Sequence, residues 1–359
     1  WTQAEAAALD AALGDENAGY VYARYGGPTQ EALEAAVTAL EQGAGAAVYG
    51  SGMAALHAAL LGAGAGPGAV VVAASELYGA TTSLLNFLAA NSGVVVRRVD
   101  VRDLAATAAA LPGAAVLLFE VISNPLCRVA DAPALIQLAR AAGARVVVDS
   151  TFTSPYLLQP LTLGADFVVH SLTKYLGGHG DVLGGVVAAA AAVDAAALRA
   201  ARKVLGANLS PFDAYLTLRG LRTLALRVRE QNANAQTLAA WLAREPRVGR
   251  VFYSGLPADP DHALAGRVLR AGCFGGVLAF ELRGGRPAVF GFLERLRLIL
   301  PATTLGDVTS LVLYPASASH RALTPEQRAA LGISDGCLRV SAGIEAAADL
   351  IADLDQALG

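Results

Sequence analysis

The stretch RVVVDSTFTSPYLLQPLTLGADFVVHSLTKYLGGHGD, residues 145–181, holds two short apolar runs, each followed closely by a residue able to do chemistry. Arg145 to Asp149 ends on a carboxylate, and Ala165 to His170 is followed within a few residues by Lys174. Similar runs occur at Ala69 to Ala74, Gly93 to Val96, Ala115 to Val121 and Gly184 to Ala190, with helical segments between them. Runs that are continuous rather than alternating belong to strands covered on both faces. The rhythm predicts an α/β domain with a mostly parallel central sheet and helices on both faces. Helices are predicted over Thr29 to Gln42, Gly52 to Leu61 and Ala132 to Ala142, the last with Asp131 as N-cap before Pro133. Beyond Leu205 a long charged amphipathic segment, Ala214 to Glu245, leads into a shorter α+β region that ends in a helix from Glu345 to Leu358. A domain boundary is expected near residue 230, with the long helix as connector.

Composition narrows the partners. The chain has 359 residues, room for a large domain and a smaller one. Its 27 basic and 30 acidic residues balance to −3, without the electrostatic footprint of a nucleic-acid or anionic-membrane binder. Small-molecule partners are expected instead. Cys127, Cys273 and Cys337 are odd in number and widely spaced, which fits neither a disulfide framework nor a metal site, and points to a reducing, cytoplasmic setting. The most apolar stretch, Ala54 to Ser75, is broken by Gly62, Gly64, Gly66, Pro67 and Gly68, so no membrane span is expected. No signal peptide is visible at Trp1, and a start at Trp points to residues upstream of it. The Gly62–Gly68 stretch precedes a strand instead of following one, so it is expected to be a loop and not a dinucleotide fingerprint.

Lys174 is one of only two lysines. Arg stays protonated at any physiological pH, whereas a buried Lys can lose its proton and attack a carbonyl. Rarity alone favours an ordinary solvated charge, and Asp149 alone is equally compatible with a helix cap. Together they project from neighbouring strand ends into one crevice, where open α/β sheets bind ligands. An amine and a carboxylate so placed suit pyridoxal phosphate, with Lys174 forming the imine and Asp149 pairing the ring nitrogen. Ser171 and Thr173 add hydroxyls beside the Lys for a phosphate. A second phosphate element is the helix start in Tyr49-Gly50-Ser51-Gly52-Met53, where backbone N–H groups can hold an anion. Tyr78 can stack on a cofactor ring, although a lone Tyr at a strand end is more often packing.

These residues, in this order, resemble the cystathionine γ-synthase and γ-lyase family of pyridoxal-phosphate enzymes, the Cys/Met-metabolism family of aminotransferase-like fold type I. The resemblance runs from about Tyr20 to Leu358. It rests on Tyr22-Ala23-Arg24-Tyr25-Gly26-Gly27-Pro28-Thr29, Ser51-Gly52-Met53, Tyr78-Gly79, Glu120-Val121-Ile122-Ser123-Asn124-Pro125, Val148-Asp149, Ser171-Leu172-Thr173-Lys174-Tyr175 and Leu338-Arg339-Val340-Ser341-Ala342-Gly343-Ile344-Glu345. It implies that Lys174 carries the cofactor and moves protons, that Asp149 pairs the pyridine nitrogen, and that Tyr78 stacks on the ring and assists proton transfer or leaving-group departure. Gly52, Met53, Ser171 and Thr173 would hold the phosphate. Arg339 would clamp the substrate carboxylate, Asn124 would touch the cofactor hydroxyl side or that carboxylate, and Thr304 would offer it a hydroxyl. Residues 1–30 would form an arm that carries Tyr22 and Arg24 to the phosphate of a neighbouring subunit, residues 31–230 the cofactor-binding domain and residues 231–359 a C-terminal α+β domain. The implied assembly is a homotetramer built from dimers with shared active sites.

The resemblance implies γ-elimination on a sulfur amino acid, of cystathionine or methionine γ-lyase type, giving a 2-oxo acid, ammonia and a thiol. The alternative is γ-replacement on an O-acylhomoserine, as in cystathionine γ-synthases and O-acylhomoserine sulfhydrylases. Ala302-Thr303-Thr304-Leu305-Gly306-Asp307 lacks the Glu that cystathionine-handling members tend to carry before Ser-Leu-Gly, and its Leu-Gly-Asp is more like methionine γ-lyases and sulfhydrylases. Ala80 stands where methionine γ-lyases often have Cys. Gly27 and Ser150 replace the usual Asn residues of the arm and of the segment after Asp149. A non-catalytic binding protein on this fold is a third reading, which the intact Lys174 disfavours.

Overall fold

The computed structural model describes residues 2–14, 19–321 and 323–359. Seven strands form the first sheet: β1 (Gly45–Tyr49), β2 (Val70–Ala74), β3 (Val95–Val99), β4 (Ala114–Glu120), β5 (Arg145–Asp149), β6 (Phe167–Ser171) and β7 (Gly185–Ala189). Their order is β1-β7-β6-β5-β4-β2-β3. Strands β2 to β6 pair parallel, and β7 runs antiparallel to both its neighbours. The mostly parallel sheet expected from the apolar runs is present, with β7 as the departure. Burial explains the runs: Val146, Val147 and Val148 are all 0% exposed, and burying each such side chain stabilises the fold by about 1.5–3 kcal/mol.

Five strands form a second, smaller sheet: β8 (Val248–Phe252), β9 (Val277–Leu282), β10 (Leu300–Pro301), β11 (Leu311–Leu313) and β12 (Cys337–Ser341), in the order β10-β11-β12-β9-β8. Each sheet has its own apolar core. The helix Leu224–Leu242 serves both, giving Leu224 and Val228 to the first core and Leu238 and Leu242 to the second. Residue 230 lies inside this helix.

Helix starts follow the sequence signals. Asp131 caps Ala132–Ala141 by accepting the Ala134 N–H at 3.1 Å, and Ser51 caps Gly52–Gly62 by accepting that of Ala54 at 3.1 Å. Two expectations are corrected. The segment from Ala214 to Glu245 is not one helix but two, Pro211–Leu221 and Leu224–Leu242. Gly220 packs directly on the Gly177 carbonyl. There the chain turns: Thr223 Oγ1 donates to the Gly220 carbonyl at 3.2 Å, and the buried Arg227 donates to the Gly220 and Tyr175 carbonyls, both at 2.9 Å. The last helix begins at Ala347 instead of Glu345. The Glu345 carboxylate is engaged by Ser310, accepting its N–H at 2.6 Å and its hydroxyl at 2.8 Å.

Candidate active site

The C-terminal ends of β4, β5 and β6 open into a cavity of about 210 Å³ whose far wall is supplied by Arg339 of β12 and by Thr303 and Leu305 of the loop before β11. Asp149 closes β5 and Ser171 closes β6. Gly52 and Met53 open the helix that follows β1. A Cβ at Gly52 would lie 3.1 Å from that of Ser171, so the helix start and the strand end are in contact. The first-turn N–H groups and the Ser171 side chain therefore meet at one corner, a geometry that attracts anions. Thr173 lines the cavity too, but its hydroxyl is shared with the Gly184 backbone, donating to the carbonyl at 3.4 Å and accepting the N–H at 3.2 Å.

Lys174 stands in the turn Leu172–Leu176, which it interrupts with φ −99° and ψ −132°. Its Nζ donates to Thr304 Oγ1 at 2.7 Å. That contact depends on a close approach by the loop carrying Thr304. Gly306 adopts φ +77°, and a Cβ there would lie 2.7 Å from the Tyr175 nitrogen. Burial, with Arg339 nearby, lowers the Lys174 amine to about 8, so a substantial fraction is the neutral base near physiological pH.

Arg339 is 3% exposed. Its Nη1 donates to Asn124 Oδ1 at 2.9 Å and its Nη2 to the Thr304 carbonyl at 3.0 Å, while Nε has no partner. No carboxylate pairs with it among the described residues. Burial lowers this guanidinium to about 10, the direction expected of a cation without a counter-ion. Asp149 is displaced the opposite way, upward, chiefly by burial, although it accepts the Thr151 N–H at 3.0 Å. A carboxyl displaced that way gains most from a ring N–H that brings positive charge to it. A nucleophilic amine, an anion corner and an acid for a ring nitrogen are the donor set that pyridoxal phosphate requires, and the unpartnered Arg339 Nε can receive a substrate carboxylate.

Tyr22 and Arg24 are not brought to this cavity. Tyr22 is 56% exposed, and the Arg24 guanidinium lies 5.2 Å and 5.1 Å from the ring centres of Tyr22 and Tyr25 while donating to the Lys203 carbonyl. Tyr78 lines the cavity at the mouth of the helix Gly79–Ser92. Among the wall residues assigned no role from sequence, three carry polar groups placed to act. Thr151 accepts the Ser171 N–H at 3.0 Å and so braces β6 against β5. Thr81 presents a buried hydroxyl without a partner. Glu120 closes β4 in register with Asp149; its signal, a charge ending an apolar run, is the one that marked Asp149.

Comparisons with known proteins agree with this geometry. The family described as "Cys/Met metabolism PLP-dependent enzyme" matches residues 2–359. The L-methionine γ-lyase of Pseudomonas putida is 44% identical over 350 residues, spanning 97% of this chain and 87% of that protein. The cystathionine γ-synthase of Mycobacterium tuberculosis is 41% identical over 348 residues, spanning 97% and 88%. Among solved structures, cystathionine γ-synthase from Xanthomonas oryzae pv. oryzae in complex with cystathionine superposes with a TM-score of 0.91 at 44% identity, covering 94% of this chain and 87% of that one. The central sheet with Lys174 and Asp149 at its strand ends, and a family match over almost the whole chain, lead to one conclusion: this protein belongs to the Cys/Met-metabolism family of pyridoxal-phosphate-dependent enzymes.

Proposed function

We propose that this enzyme catalyses γ-elimination on a sulfur amino acid, of the methionine or cystathionine γ-lyase type, releasing a 2-oxo acid, ammonia and a thiol. The observation that carries the reading is the Lys174 amine, lowered to about 8, held 2.7 Å from the Thr304 hydroxyl in the same cavity as the unpaired Arg339 guanidinium. The chemistry supplied by bound pyridoxal phosphate is withdrawal of electrons from the substrate's Cα. Lys174 would carry the cofactor, Asp149 would hold the ring nitrogen, and Ser171, Thr173 and the N–H groups of Gly52 and Met53 would hold the phosphate.

The chain's own groups then do the following. Arg339 binds the α-carboxylate, with Asn124 and Thr304 fixing the guanidinium plane. Lys174 Nζ, neutral and steered by the Thr304 hydroxyl, takes the Cα proton, gives it up, and then takes a Cβ proton, whose C–H electron pair expels the γ-substituent. Tyr78 covers the ring and assists departure of the thiol. Tyr22 and Arg24 serve the phosphate of a neighbouring subunit, so the active unit is a dimer with shared sites and the full assembly a homotetramer. In support, both lie away from their own cavity, and Val204, Leu205, Phe212 and Tyr215 are exposed by 83%, 60%, 67% and 55% on segments near the Arg24 contact. Three unpaired, buried cysteines suit a cytoplasmic setting.

γ-Replacement on an O-acylhomoserine shares every residue role up to loss of the γ group, and the 41% identity to a cystathionine γ-synthase favours keeping it in view. Incubation with methionine, cystathionine and O-acetylhomoserine, with and without added thiol, separates the two. 2-Oxobutyrate formed without thiol is the expected result. Product formed only when thiol is added, as a thioether, would replace the lyase reading with the transferase one.

A further inference from the structure

Glu120 is buried and lines the cavity beside Asp149, yet no step above uses it. Its Oε1 accepts the backbone N–H of Tyr78 at 2.6 Å, across 42 residues of sequence. Tyr78 stands at the N-cap position of the helix Gly79–Ser92, where it offers no side-chain cap, and the residue is 44% exposed. A partly exposed ring on a loop needs its backbone held if it is to keep one position. The other side of this turn is fixed by Gly79, where a Cβ would come within 2.5 Å of the Ser319 carbonyl. We propose that Glu120 is a positioning residue for the Tyr78 ring, acting through the backbone N–H of Tyr78 and not through substrate. The proposal rests on the reading that Tyr78 lies against the bound cofactor ring.

Two further observations agree. Burial, and then the adjacent Asp149, push the Glu120 carboxyl well above its usual range, the direction that favours its neutral form. A protonated carboxyl keeps its second oxygen free to accept an N–H, adds no charge beside Asp149, and is a poor general base. Its place is also structurally fixed: register pairing sets Glu120 level with Asp149 at the end of the parallel sheet.

The test uses the holoenzyme and the visible circular dichroism of bound pyridoxal phosphate, which reports asymmetric packing on the chromophore, alongside kcat/KM. Tyr78→Ala, Glu120→Ala and the double variant form a cycle. Glu120→Ala should reduce the dichroic signal and lower kcat/KM about tenfold, as loss of one buried hydrogen bond implies. The double variant should be no worse than Tyr78→Ala. Glu120→Gln, whose amide oxygen keeps the acceptor, should recover most of the signal and retain the wild-type pH profile; it also decides the matter if Glu120→Ala does not fold. Additive losses, or a pH-profile limb that vanishes in Glu120→Gln, would overturn the proposal alone. A wild-type signal in Tyr78→Ala would overturn the stacking reading and the proposal with it.

Discussion

Thr304 touches Lys174 and Arg339 at once: its hydroxyl accepts from Lys174 Nζ at 2.7 Å, and its carbonyl accepts from Arg339 Nη2 at 3.0 Å. One residue of the smaller sheet's loop thus holds together the proposed proton carrier and the proposed carboxylate clamp. Removing the hydroxyl in Thr304→Val should lower kcat about tenfold or more, because a base that wanders loses proton-transfer efficiency. KM for the amino acid should move little. Steady-state kinetics check this, and a change confined to KM would contradict the positioning role.

The depressed amine makes cofactor capture pH-dependent in a defined direction. Burial favours the neutral form of Lys174, and only that form attacks an aldehyde. The rate at which apoenzyme develops its visible band with pyridoxal phosphate should therefore rise with pH and level off above about 8. A midpoint near the ordinary lysine value of 10.5 would contradict the buried setting. Lys174→Ala and Lys174→Arg should both remain without the band.

Arg339 has its guanidinium held flat by Asn124 and Thr304. Replacing it by Lys keeps a charge but loses the planar fork, so kcat/KM should fall by about 10²-fold or more. Measuring inhibition by a simple carboxylate such as acetate gives an independent readout, since affinity should fall in parallel.

Subunit mixing tests the shared site. Arg24→Ala and Lys174→Ala homo-oligomers should each be nearly inactive. Random reassembly from equal amounts should restore about a quarter of wild-type activity, because half the dimers are mixed and each mixed dimer has one intact site. Mixtures that stay inactive despite confirmed exchange would place Arg24 in its own subunit's function.

Gly220 joins stability to the site. It packs on the Gly177 carbonyl, at the end of the Lys174 turn. Gly220→Ala should destabilise the protein by about 1–3 kcal/mol through overpacking. Calorimetry should show a lower Tm, and the displaced turn should slow cofactor capture as well. An unchanged Tm would mean that the two backbones can separate freely.

Most of the scaffold was legible because buried parallel strands need apolar side chains on both faces. Arg145 to Asp149 was read with its observed limits. The break at Arg222 and Thr223 was not legible, since helical patterning continues across it and only the carbonyls of Tyr175 and Gly220, gathered by Arg227, require the turn. Glu345 likewise reads as helix start until Ser310 appears opposite it. Lys174 and Asp149 stood out because each follows or closes an apolar run. Thr151 and Thr81 did not, because nothing near them in sequence distinguishes a brace or an unpartnered hydroxyl from a turn or helix Thr.

By itself the sequence determined the α/β class, the strand ends that carry Asp149 and Lys174, and membership of a family whose motifs recur in order from Tyr22 to Glu345. These are local or ordered features, set by burial period and residue chemistry. Only the tertiary structure decided that Thr304, 130 residues after Lys174, meets its amine, and that Arg339, 215 residues after Asn124, meets that amide. It also decided the electrostatic state of the lysine. The amine is lowered because packing of the two sheets removes water and brings a second cation near, and neither effect is written in the residues adjacent to Lys174.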